Sequence, residues 1–225
     1  MSENVLVGLV GDEEVHAAAR SRVYSALCDA LTFPDAERLA EIGRGELSRG
    51  VRSAVEAADP ALAESFDWEA LSDAGSGDDD LAVEYTRLFE VGASGPPCAL
   101  YGGTYGDARM KTMEEAVRFY NYFGLTLSED PRELPDHLCT ELEFLHFLAF
   151  REAEALCSGI DPGPFRRAQR DFVARHPGRW LPQLTERLAR AKAGRFYIAL
   201  FALLARWLVR EERTLTALAG PAPAA

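Results

Sequence analysis

The chain has 225 residues, 48% of them apolar, with 36 acidic and 24 basic side chains and a formal net charge of −12. That apolar share supports a buried core and rules out a disordered acidic tail, and the length suits one domain spanning residues 1–225. A net-acidic chain without a basic stripe excludes nucleic acid as partner, because phosphate binding depends on Lys and Arg.

The first residues hold only a short apolar run, Val5–Val10, with no basic residue ahead of it and Asp12, Glu13 and Glu14 behind it. That is not a secretory signal, and the expected compartment is the cytoplasm. Val15, Ala19, Val23, Leu27 and Leu31 share one face of an expected helix, Glu13–Leu31. Pro34 suits the first turn of the next, running to about Leu47. Weaker helices are expected at Val51–Ala58 and Pro60–Leu71. Asp73–Asp80 is a Gly/Ser turn whose acids suit the cap of a helix Leu81–Phe89.

Glu90–Tyr105 is irregular, since its glycines and Pro96-Pro97 exclude a helix. Helix resumes from Asp107 to Phe123 and stops at Gly124. Pro135 opens the most strongly periodic helix, to Cys157, and further helices are expected at Pro164–Arg175, Gly178–Lys192 and Phe196–Leu218. The apolar stretch Phe196–Val209 is broken by Arg206 and falls short of the ~20 residues a membrane span needs, so it reads as a core helix without stable membrane insertion. The four cysteines, Cys28, Cys98, Cys139 and Cys157, form no C-x-x-C pair and read as reduced thiols packed as small apolar groups. With no alternating strand and no repeat, the expected fold is all-α: a single-domain bundle of about nine to eleven helices with one Gly/Pro-rich loop.

Nucleotide-binding and hydrolase signatures are absent. Two E-x-x-H sequences, Glu13…His16 and Glu143…His146, with Glu84 and Glu114 as further carboxylates, outline the competing reading, a di-metal carboxylate oxidase. Against it, Glu13 and His16 fall at a helix end, and His146 lies in the apolar run Phe144–Phe150.

Two other constellations bear on binding. At the start of the Pro135 helix, Asp136 and His137 lie where backbone N–H groups are unsatisfied, and Glu141 follows His137 by four and shares its face. With Glu133 they gather negative charge, which is either ordinary capping and surface pairing or a pocket for a guanidinium. Tyr85, Leu88 and Phe89 form one aromatic–apolar stripe that ends at the loop carrying Tyr101 and Tyr105. Such a stripe is either core or the wall of a peptide groove.

In this order, and about fifty residues apart, these stretches resemble the TorD/DmsD/NarJ family of molybdoenzyme-maturation chaperones. The resemblance rests on Tyr85-Thr-Arg-Leu88-Phe89, Gly95-Pro96-Pro97…Tyr101 and Glu133-Leu-Pro-Asp136-His137, and spans roughly residues 80–150. It implies an all-helical, cofactor-free, non-enzymatic chaperone with no catalytic or metal site. Such a protein binds the apo catalytic subunit of a molybdopterin-containing oxidoreductase, often through its twin-arginine leader, until cofactor insertion. Carried over, Asp136 and His137 match the leader-binding pair, and Tyr85, Leu88 and Phe89 the hydrophobic contacts; Glu141 and Tyr101 join them from the residue reading. Many relatives carry an aromatic and then a serine after Pro-Pro, where this chain has Cys98-Ala99-Leu100-Tyr101. That form looks closer to chaperones of enzymes acting on ethylbenzene, dimethyl sulfide, selenate or chlorate.

The charge distribution agrees with an arginine-bearing partner. Residues 1–154 hold 12 basic and 31 acidic groups, whereas residues 155–225 hold 12 and 5. Arg166, Arg167 and Arg170 read as a solvated basic face, with contact to an acidic part of the client as the lesser alternative. Segments 90–105 and 128–134 are expected hinges, so the protein is either a monomer or a domain-swapped dimer.

Overall fold

The computed structural model describes residues 11–74, 81–93, 95–106, 108–126 and 134–220. Within them the chain forms ten α-helices: α1 (Asp12–Ala30), α2 (Ala36–Gly43), α3 (Glu46–Ala58), α4 (Pro60–Glu64), α5 (Leu81–Tyr85), α6 (Arg109–Tyr122), α7 (Leu138–Cys157), α8 (Gly163–Arg175), α9 (Pro177–Arg190) and α10 (Arg195–Ala219). Short 3-10 turns lie at Trp68–Ser72 and Gly102–Tyr105, and a π-helical turn at Thr86–Glu90 follows α5. Among the described residues β-pairing is confined to isolated bridges, one of them joining Tyr101 and His137. The all-α expectation holds.

Two expected helices are divided. Pro34–Leu47 breaks because Gly45 sits at φ +69°, a left-handed conformation that ends one helix and redirects the next. Asp35 caps the shorter α2, its carboxylate accepting from Arg38 N–H at 2.9 Å. Pro60–Leu71 stops after α4 and continues as the 3-10 turn, pinned where Trp68 Nε1 donates to Ala63 O at 2.8 Å.

The central seam is α1 against α7. Val23, Leu27 and Leu31 meet a face of α7 carrying Leu142, Leu145 and Ala149, all buried. Each leucine contributes about 1.5–3 kcal/mol over its exposed state, so packing rather than helix propensity holds the pair. Val15, expected on this face, is 46% exposed. Steps of four residues drift about 40° per step around a helix, and by Val15 the stripe has turned to solvent. The α10 stripe is core as expected, with Leu200, Leu204 and Trp207 buried and Arg206 outside. No described helix is long and apolar enough to cross a membrane. The cysteines are free thiols; Cys28 and Cys98 are buried, whereas Cys157, expected to pack, is exposed at the end of α7.

A charged residue sits in the middle of this core. Arg20 is 0% exposed. Its Nε donates to both oxygens of Glu211 at 2.9 and 3.0 Å, Nη1 to Glu152 at 2.9 Å and Nη2 to Gln169 Oε1 at 2.6 Å. Tyr24 OH donates to Glu211, and Arg166 Nε to Glu152. Burial alone would raise the Glu152 carboxyl; Arg20, Arg166 and Gln169 outweigh it and hold it below the ordinary carboxylate range. The expected solvated face is thereby corrected. Arg166 and Arg170 turn inward, Arg170 onto Asp171 and the carbonyls of Ala219 and Gly220. Only Arg167 of the three stays exposed.

Candidate functional site

The π-helical turn puts Leu88 and Phe89 inward beside Tyr85, all three buried. The rings of Tyr85 and Phe89 meet edge-on at 5.0 Å, and Phe89 lies 5.2 Å from Tyr197 and 5.7 Å from Phe201 of α10. Of the two readings of this stripe, the structure as it stands has it as core. Its solvent-facing member is Phe33, 47% exposed, whose ring meets Tyr85 at 5.5 Å.

From that turn the Gly/Pro loop crosses to the start of α7 and is bonded at both ends. Cys98 N–H donates to Leu88 O at 2.9 Å, and Leu138 N–H to Leu100 O at 2.8 Å. Gly102 N–H donates to Asp136 O, and Gly103 N–H to Asp136 Oδ2, both at 2.8 Å. Tyr101 stands edge-on to the His137 ring at 4.9 Å. Glycine is required at 103, since a Cβ there would come within 2.8 Å of Asp136 Oδ2 and 2.6 Å of Arg109 Cγ. The loop therefore joins the two expected constellations into one site.

The helix begins later than Pro135 predicts. Residues 134–137 form a turn closed by His137 N–H on Leu134 O at 3.0 Å, and Pro135 O accepts from Tyr120 OH at 2.7 Å. His137 is the N-cap, its Nδ1 accepting from Cys139 N–H at 3.3 Å. Asp136 thus precedes the cap and points under the loop instead of lying in the first turn.

Asp136 and Glu141 are both 0% exposed and His137 is 6% exposed. Glu141 Oε2 accepts from Trp180 Nε1 at 3.1 Å, and its Oε1 lies 3.7 Å from His176 Nδ1. Burial pushes the Glu141 carboxyl well above its ordinary value; the Trp180 hydrogen bond opposes this and the Asp136 charge adds to it. Burial takes the His176 imidazole down to about 4. Burial therefore works against a charge on either group, and His176 is neutral near pH 7. Asp136 Oδ1, Glu141 Oε1 and both ring nitrogens of His176 have no hydrogen-bond partner. An unpaired buried donor or acceptor costs about 1–3 kcal/mol, so these four atoms among the described residues call for an explanation.

Glu141 does not share a direction with His137 as its spacing suggests. It faces Trp180 and His176 of the α8–α9 corner, while His137 faces the loop. The structure brings Asp136, His137, Glu141 and Tyr101 together; Tyr85, Leu88 and Phe89 lie at the far end of the loop, and Glu133 falls outside the described residues. Sequence reasoning missed His176 and Trp180, and named Tyr105 only as a possible groove wall. Trp180 stacks on Tyr105 at 5.1 Å, and the Arg187 guanidinium lies 4.2 Å above the same ring. His176-Pro-Gly was legible only as a break between helices.

The carboxylates and histidines of the di-metal reading are engaged elsewhere. Glu13 pairs with Arg166 at 2.8 Å, His146 Nδ1 meets Ser21 Oγ at 2.8 Å, and Glu84 accepts from Gly194 N–H at 2.6 Å. No group of three or more His, Cys, Asp or Glu among the described residues is placed to hold a metal ion.

Comparison with known proteins places this geometry in context. The model of the family described as the nitrate reductase delta subunit matches residues 46–186. The perchlorate reductase assembly chaperone protein of Dechloromonas aromatica is 36% identical over 194 residues, covering 84% of this chain and 87% of its own. The chlorate reductase assembly chaperone protein of Ideonella dechloratans is 37% identical over 167 residues, 73% of this chain and 74% of its own. Chaperone protein TorD of Vibrio parahaemolyticus is 30% identical over 129 residues, 56% and 59% of the two chains.

Proposed function

This chain belongs to the TorD/DmsD/NarJ family, which includes the nitrate reductase delta subunit and reductase assembly chaperones, and from that premise we propose how it recognises its client. It is an assembly chaperone and not a catalyst, and its partner is the catalytic subunit of a molybdenum-cofactor oxidoreductase. The relatives named for perchlorate and chlorate reductases support a client of that oxyanion-reducing kind. The client is held in the cytoplasm, in its apo form, until its cofactor is inserted.

The finer claim is that the twin-arginine leader docks at the loop–α7 junction. The observation that carries it is the pair of buried carboxylate oxygens without donors, Asp136 Oδ1 and Glu141 Oε1. A guanidinium supplies five donors in a planar fork and suits two such acceptors. The loop covers Asp136 and Trp180 covers Glu141, so docking requires segment 98–105 to lift, with its Gly103–Asp136 hydrogen bond yielding to the arginine, and Trp180 to give way. Lifting the loop also uncovers Tyr101 and opens the way toward Tyr85, Leu88 and Phe89 for the leader's apolar segment. Ordering a flexible leader and displacing the loop both oppose binding, so modest affinity is expected. The same loop is the expected hinge for exchange between copies, and the chain acts as a monomer or as a swapped dimer through it.

Isothermal titration with the leader of the oxidoreductase encoded beside this gene tests the docking. Binding is expected to weaken with salt and to fall at least about tenfold for Asp136→Ala or His137→Ala, the scale of one charge-assisted hydrogen bond. Equal binding by these variants would remove the site assignment. Failure of the client subunit to copurify from the native host would remove the client assignment itself.

A further inference from the structure

On the face formed by α6 and α8, a cleft of about 390 Å³ opens between Phe119, Tyr122 and Phe123 on one side and Pro164 and Arg167 on the other, with Arg118 at its rim. Its size is that of a small-ligand or side-chain pocket. Two features set it apart from an ordinary surface depression. Tyr122 is 78% exposed, the most exposed large hydrophobic side chain among the described residues, and its ring meets Phe123 at 5.0 Å. Arg118 and Arg167 make no ion pair and no hydrogen bond among the described residues, although neighbouring arginines do. Arg166 holds Glu13 and Glu152, Arg170 holds Asp171, and Arg175 holds Glu115.

We propose that this cleft is a second docking site, which takes an acidic segment with an aromatic or large apolar anchor from the body of the client. The anchor enters between Tyr122 and Phe123, and flanking carboxylates pair with the guanidinium groups of Arg118 and Arg167. Charge complementarity selects this occupant over an arginine-rich one. The residues lining the cleft include two arginines, Arg118 and Arg167, and no carboxylate. A leader arginine is repelled here and attracted to Asp136, so the two sites favour different ligands. Arginine stacked beside aromatic rings is also the composition typical of residues that dominate binding energy at protein interfaces. Only the identification of the ligand's source as the client rests on the chaperone reading; the ligand chemistry stands on the cleft itself.

The test uses fluorescence polarisation with the full chain. The probe is a labelled acidic heptapeptide with a central phenylalanine, and its control is the same peptide with lysine at every acidic position. The acidic probe is expected to bind saturably, to weaken as salt shortens the Debye length below about 10 Å, and to lose at least about tenfold affinity with the double variant Arg118→Glu, Arg167→Glu. Tyr122→Ala is expected to weaken it without altering the salt dependence. Leader binding by the charge-reversed protein is expected to stay unchanged, and the control peptide is expected not to bind. Circular dichroism checks that each variant folds, and Arg118→Gln with Arg167→Gln replaces the reversal if it does not. No binding of the acidic probe, equal binding by the variants, or equal binding of the lysine control would overturn the proposal. None of those results bears on leader docking. Should the acidic probe bind as expected, the client's catalytic subunit with its leader deleted is the second probe, and loss of its binding in the same double variant would tie the cleft to the client.

Discussion

Arg20 and Glu141 are both ionisable side chains sunk completely in the interior, and the fold treats them in opposite ways. Around Arg20 each guanidinium nitrogen has an acceptor: Glu152, Gln169 and Glu211 converge from α7, α8 and α10, and Tyr24 of α1 donates to Glu211. Around Glu141 the interior leaves polar atoms without partners, and burial works against a charge on the Glu141 carboxyl and on the imidazole beside it. The first region is a finished structural tie, with no capacity left for a ligand. The second holds unspent hydrogen-bonding capacity beneath a loop that only a few hydrogen bonds retain. The difference teaches that buried charge as such does not mark a functional site; incomplete pairing does.

The contrast is sharpest where a partner is removed. Arg20→Ala leaves buried Glu211 with no cation and only the Tyr24 hydroxyl as donor, and takes one of two arginines from Glu152; it is expected to cost about 3–5 kcal/mol, measured by urea unfolding. A loss below 1 kcal/mol would break the contrast, because the Arg20 network would then be no tie at all.

Acid pH probes the second region. With its imidazole held from 6.5 down to about 4, His176 leaves stability intact above pH 6.5. As pH falls from 6.5 through 4 the unfolded chain takes up the proton first, and up to about 3 kcal/mol is lost. His176→Phe, stacking on Phe172 as the imidazole does at 4.3 Å, is expected to flatten that acid limb in melting curves recorded from pH 7 to pH 4. An unchanged limb would place the acid sensitivity elsewhere.

Asp136→Asn keeps an acceptor for Gly103 N–H but removes the charge. Stability is expected to stay within about 1 kcal/mol of the parent, while leader affinity falls about tenfold, or roughly 1.4 kcal/mol. The opposite outcome, with stability lost and affinity kept, would make Asp136 a structural residue like Arg20.

The smallest effect is expected for Glu141→Gln. A carboxyl raised in the folded state stabilises fully below about pH 4.5 and progressively less as pH rises. The neutral amide lacks that dependence and can still accept from Trp180. The variant is therefore expected to match the parent near pH 5 and to exceed it by about 1 kcal/mol by pH 8, a gain that thermal melts at the two pH values can read.

Much of the fold was legible because helical periodicity and Pro/Gly punctuation act locally. The seams of α1, α7 and α10 follow from apolar spacing, and the loop at 90–105 from Pro96-Pro97. The residues of the site were also legible as a group, since Asp136, His137, Glu141 and Tyr101 do converge. Their burial was not. Nothing in the spacing of Asp136 and Glu141 says that Gly103 will cap one or that Trp180, 39 residues further on, will cover the other. The arginines of α8 failed for a related reason: adjacency in sequence scatters side chains around a helix, so Arg166 and Arg167 serve different surfaces.

The sequence by itself determined most of the helices, because periodicity is a property of the chain, and its motifs carried the resemblance that implied the class of protein. Tertiary structure alone decided which polar groups are satisfied. Pairing depends on residues far apart in sequence arriving within 3 Å, and that distance decides whether a buried carboxylate is a tie, as Glu211 is, or an acceptor held in reserve, as Asp136 and Glu141 are.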